Sequence, residues 1–81
     1  MKDTSEILYS AKLDTANNIY EWIVSSDILV HVNIFCGVIT VVAPNRKTTV
    51  ALLDGLWESE FSEMFNYSRL SDSVIVIIAN K

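Results

Sequence analysis

The sequence predicts an α+β fold: one domain over residues 1–81, an antiparallel five-stranded sheet with two helices, in the order strand, helix, strand, strand, strand, helix, strand. Three observations predict it. The hydrophobic pattern alternates between period two and helical spacing along the chain. Turn chemistry separates the blocks at Cys36-Gly37, Pro44 to Lys47 and Asp54-Gly55. Half of the residues, 51%, are hydrophobic, enough for a core in a chain of 81 without disulfide staples.

The first block, Ser5 to Lys12, carries Ile7, Leu8 and Tyr9 among polar residues and reads as a short edge strand. Asp14 or Thr15 then caps a helix in which Ala16, Ile19, Tyr20 and Ile23 fall at i, i+3, i+4 and i+7, with Trp22 widening the apolar face. From Asp27 the period becomes two. Ile28, Val30, Val32 and Ile34 lie on one side of a strand, with Leu29, His31, Asn33 and Phe35 on the other. Glycine accepts positive φ, so Cys36-Gly37 reverses the chain into a return strand, Val38 to Ala43. After the Pro44 to Lys47 turn, Thr48 to Leu53 has strand composition and completes a meander. Leu56 to Phe65 returns to helical spacing through Trp57, Phe61, Met64 and Phe65. The β-branched run Val74 to Ala79 reads as a strand covered on both faces.

Charge and composition narrow the function. The net charge is −4, and the six basic residues, Lys2, Lys12, Arg46, Lys47, Arg69 and Lys81, form no stripe, which argues against direct contact with nucleic acid. The acidity suits solubility or, more sharply, imitation of phosphates. A lone cysteine, Cys36, has no partner for a disulfide or a metal cluster, so a reducing, cytoplasmic setting is expected. The charged start lacks the apolar core of a signal peptide, and the run Val74 to Ala79 is too short to span a bilayer, so no membrane contact is expected.

Catalytic chemistry is not expected either. A nucleophile needs a base and a group to orient it, and the single histidine, His31, sits mid-strand beside Leu29 and Asn33. Glu58, Glu60 and Glu63 read as the solvated face of a helix. Two glycines in the chain give no phosphate-cradling loop, and neither cofactor nor metal is anticipated.

Several strings in order resemble the uracil-DNA glycosylase inhibitor family carried by some phages. Ser5-Glu6-Ile7-Leu8 matches that family's Glu-Ser-Ile-Leu entry strand with its first two residues exchanged; Ser26-Asp27-Ile28-Leu29-Val30-His31 is identical to the family's string. Ala43-Pro44, Lys47 and Val50-Ala51-Leu52-Leu53-Asp54 resemble its Ala-Pro turn and following strand. The resemblance runs from Ser5 to Asp54. The chain departs from the family in its short Cys36-Gly37 turn, in the extra helix Leu56 to Phe65 and in lacking a leading helix.

The resemblance implies a cytoplasmic DNA mimic acting in a phage-infected host cell, a monomer forming a 1:1 complex with uracil-DNA glycosylase. It implies that Ser5, Glu6, Ile7 and Leu8 form an edge strand inserted in the enzyme's DNA-binding cleft, with Ser5 or Glu6 at the key anionic contact. Glu21, and Asn18 in place of a second acid, would meet the enzyme from the helix. Tyr9, Ile19, Trp22, Ile23, Val30, Ile39, Val41 and Leu53 would line a pocket for an apolar side chain of the enzyme. Those residues also alternate onto one face of sheet and helix, as a filled core does, and a cavity open to solvent is what separates the two. Two other readings follow from the residues: a generic interaction module, or an inhibitor of another DNA-binding enzyme, using the acidic helix Glu58 to Glu63, and a homodimer pairing exposed strand edges.

Overall fold

The computed structural model describes the backbone of residues 4–80 and the side chains of residues 12–80. Its elements run α1 (Thr4–Ser25), β1 (His31–Phe35), β2 (Val38–Val42), α2 (Arg46–Glu58), β3 (Phe65–Arg69) and β4 (Val74–Ala79). The sheet has four strands, not five, in the order β1-β2-β4-β3, every neighbour antiparallel. The chain therefore leaves β2 through α2, reaches the far edge as β3 and returns to the middle as β4, in place of the expected three-strand meander.

Three expected elements need correction. Ser5, Glu6, Ile7 and Leu8 form no edge strand: their backbone lies in the first turns of α1. No glycine or proline interrupts Thr4 to Ser25, so the helix expected from Asp14 onward runs unbroken from Thr4. Thr48 to Leu53 is helical as well. Asn45 caps α2 by accepting from the Thr48 N–H at 2.9 Å, and Thr49, Leu52, Leu53 and Leu56 fall at i, i+3, i+4 and i+7 on the buried side. The expected helix Leu56 to Phe65 lies across a boundary, since α2 ends at Glu58, a turn follows, and Phe65 opens β3.

The β1–β2 hairpin follows expectation. Cys36 and Gly37 both have positive φ, 51° and 81°, the pattern of a two-residue turn whose twist matches the strands it joins. Both helices supply the buried layer above one face of the sheet. Ala16, Ile19 and Ile23 of α1 and Leu52, Leu53 and Leu56 of α2 join Ile39 and Val41, Ile75, Ile77 and Ala79, and Phe65 in one core cluster. Val32 and Ile34 pack against it from β1. The buried Thr49 hydroxyl donates to the Asp72 carbonyl at 2.9 Å, tying α2 to the β3–β4 turn. No helix of the described residues is long and apolar enough to cross a membrane.

Candidate functional site

Strand alternation fixes what the opposite face carries. In the paired register His31, Asn33 and Phe35 stand beside Val42, Thr40 and Val38, which stand beside Val74, Val76 and Ile78. Asn66 and Ser68 complete the face on β3. Both helices pack on the other side, so among the described residues no layer covers this side. Adjacent residues show the contrast: Ile77 is fully buried and Ile78 is 50% exposed. Phe35, Val38 and Val42 are also exposed. Water-facing aliphatic side chains on the two central strands make a contiguous apolar surface, the kind that marks a contact site.

Beyond the Val42 end of the face lies an open groove of about 730 Å³. Val24, Ile28, Leu29, Val30, Val42, Ala43 and Pro44 give it apolar walls, and Ser26 and His31 are its polar members. Local hydrogen bonding shapes it. The Ser26 hydroxyl donates to the Ile23 carbonyl at 2.7 Å and accepts from the Ile28 N–H at 3.4 Å, ending α1 and turning the chain. The Val30 N–H then donates to the Ile28 carbonyl at 3.1 Å, a three-residue turn that leaves Leu29 at its apex, 83% exposed. Val42 and His31 belong to both face and groove, so the two form one continuous surface.

The residues singled out from sequence are distributed differently. Ile19, Ile23, Ile39 and Val41 are essentially inaccessible and Leu53 is buried; with the half-buried Trp22 and Val30 they are the molecule's own core. Of that set Val30 alone also lines the groove. Asn18 and Glu21 are exposed on α1. Ser5 to Leu8 are helical in backbone, and their side chains, with that of Tyr9, lie outside the described residues. His31 and Cys36 are exposed. Glu58 ends α2, and Glu60 and Glu63 are exposed in the turn after it. Among the described residues no cluster of three or more His, Cys, Asp or Glu is placed to hold a metal ion.

Sequence reasoning missed the bare face itself. It took the continuous run Val74 to Ala79 as covered on both sides, whereas Val74, Val76 and Ile78 alternate away from the helices. A usable signal was the polar company of that run across the sheet: its outward neighbours on β2 and β3 include Thr40, Asn66 and Ser68, residue types that suit a face left to solvent.

The class defined by this geometry is a two-layer α+β protein with an uncovered apolar sheet face continuing into a groove. No protein-family model, no curated protein and no solved structure matches the chain.

Proposed function

We propose that this chain works by binding another protein through the uncovered face of its sheet and the groove at its end. The observation that carries the reading is the half-exposed Ile78 on the interior strand β4, one residue from the fully buried Ile77. Leaving such a surface in water forgoes about 25 cal/mol for each Å² that a partner could cover. A photo-crosslinking residue placed in turn at Thr40, Val76 and Asp54, in cells that naturally make the protein, tests it. Adducts to protein should form from positions 40 and 76 and not from the exposed Asp54 on α2. No adduct from the face, or equal yields from all three, overturns the reading.

A second reading takes uracil-DNA glycosylase as the partner. One observation favours it: two of the strings that carry the resemblance, Ser26 to His31 and Ala43-Pro44, meet to line the groove. In this form the groove, and not a strand from residues 5–8, receives an apolar side chain of the enzyme, while Glu21 and Asp27, both exposed, supply negative charge. Charge of that sign speeds encounter with a cleft built for a polyanion. Uracil release by a family-one glycosylase should fall with added protein and recover with Leu29→Asp. Unchanged release at equimolar, micromolar protein removes the glycosylase from consideration.

A further inference from the structure

We infer that the uncovered face is occupied by a second copy of this chain, packed face to face about a two-fold axis lying across the strands, with Phe35 of each copy seated in the groove of the other. The inference rests on the reading of that face as a docking surface. Charge selects the occupant. The chain carries −4 overall, yet the face, from His31, Asn33 and Phe35 across to Asn66 and Ser68, contains no Asp, Glu, Lys or Arg. Two copies of an acidic protein repel one another through most of their surface, and this is a surface on which they do not. A basic partner would find no carboxylate there to meet.

Shape selects the axis. Phe35 stands 76% exposed at one end of β1, and the groove opens beside His31 at the other end of the same strand. A two-fold axis across the strands reverses one copy end for end, laying each β1 over the partner's β1 and bringing Phe35 above the partner's His31 and its groove. One contact is thereby made twice, as an isologous interface requires. An axis along the strands would instead set Phe35 over the partner's β3, against Asn66. Sheets packed in this way stay nearly aligned, about 10 Å apart.

Area is sufficient when the groove is included. Four strands of about five residues cover about 17 by 19 Å, roughly 300 Å² in projection and about twice that as accessible surface. A standard interface takes about 800 Å² from each partner. Leu29, 83% exposed and beyond the strand ends, and the groove walls around it supply much of the difference.

Sedimentation of the full chain from micromolar to millimolar concentration is the test. The mass should rise from 9.1 kDa towards double that value. Phe35→Ala should weaken the dimer at least about tenfold, since two rings are lost together. Val76→Glu, which sets two carboxylates near the axis, should hold the chain monomeric, with circular dichroism confirming that each variant is folded. Leu29→Cys should form an intermolecular disulfide with the native Cys36 under diamide, where the unsubstituted chain forms none. A chain monomeric throughout overturns the inference, and so does a dimer indifferent to Val76→Glu, which would be joined by strand edges. If the chain is monomeric while crosslinks from positions 40 and 76 reach a different protein, the docking face stands and the second copy does not.

Discussion

The indole of Trp22 closes over Gly55: its Cη2 lies 3.3 Å, and its Cζ2 3.7 Å, from the point a β-carbon on Gly55 would occupy. α1 and α2 therefore meet at a place where a side chain on one is accommodated by the lack of one on the other. Glycine inside a helix costs about 0.5–1 kcal/mol relative to alanine, and the close approach explains its presence. Gly55→Ala should thus bring little or no gain in the native chain, because the ring must shift by a few tenths of an ångström. In a Trp22→Leu background the same change should stabilise by about 0.5–1 kcal/mol. Urea denaturation of the four proteins measures the coupling, and strictly additive effects would show that the two residues do not constrain one another.

The buried hydroxyl of Thr49 fastens α2 to the β3–β4 turn through the Asp72 carbonyl. Thr49→Val keeps the shape and removes the donor. A loss of about 1–2 kcal/mol in stability is expected, with an unchanged denaturant slope. A variant as stable as the parent would mean that the bond contributes nothing net.

Asn45 starts α2 by accepting from the backbone N–H of Thr48 at 2.9 Å, and its side-chain oxygen also accepts from the Thr48 hydroxyl at 3.0 Å. Asn45→Ala should cost about 1 kcal/mol, whereas Asn45→Asp, which preserves the acceptor, should cost far less. Thermal melting of the pair separates loss of the cap from loss of the amide.

The hairpin turn asks a positive φ of both its residues, and the two are suited to it unequally. Cys36 holds φ at 51°, a region that asparagine tolerates better, so Cys36→Asn should stabilise by roughly 0.5 kcal/mol. Gly37 holds φ at 81°, and a β-carbon there would come within 2.9 Å of Leu13 Cδ2. Gly37→Ala should destabilise by about 1–2 kcal/mol. Equal stability of the two variants would contradict the turn geometry.

The strands that the sequence reveals most plainly are β1, β2 and β4, where alternating or continuous aliphatic residues leave little room for another reading. The N-terminal half of α1 was obscured because Ile7, Leu8 and Tyr9 cluster as a strand would, while continuity with Ala16, Ile19 and Ile23 lies about two turns further on. Thr48 to Leu53 has the composition of a strand, yet the cap at Asn45 and the spacing of Thr49, Leu52, Leu53 and Leu56 decide for helix. Position outweighed propensity there. The apparent helical spacing of Trp57, Phe61 and Phe65 has another origin. Trp57 and Phe65 meet across the turn with ring centroids 5.0 Å apart and planes tilted by 48°, and Phe61 is buried within it. As for the site, Ser26 to His31 and Ala43-Pro44 were visible as strings, but their meeting around a groove depends on the β1–β2 register and the kink at Leu29. Neither leaves a periodic trace in the sequence.

If the aliphatic face is covered by protein when the chain is at work, relaxation of methyl groups by a soluble paramagnetic probe will reveal it. In dilute protein the Ile78 methyls should relax strongly and those of Ile77 hardly at all. With the face occupied, whether by a second copy at high concentration or by a captured protein partner, Ile78, Val76 and Val42 should fall to the level of Ile77. Face methyls still as open to the probe as in the dilute chain would contradict the account.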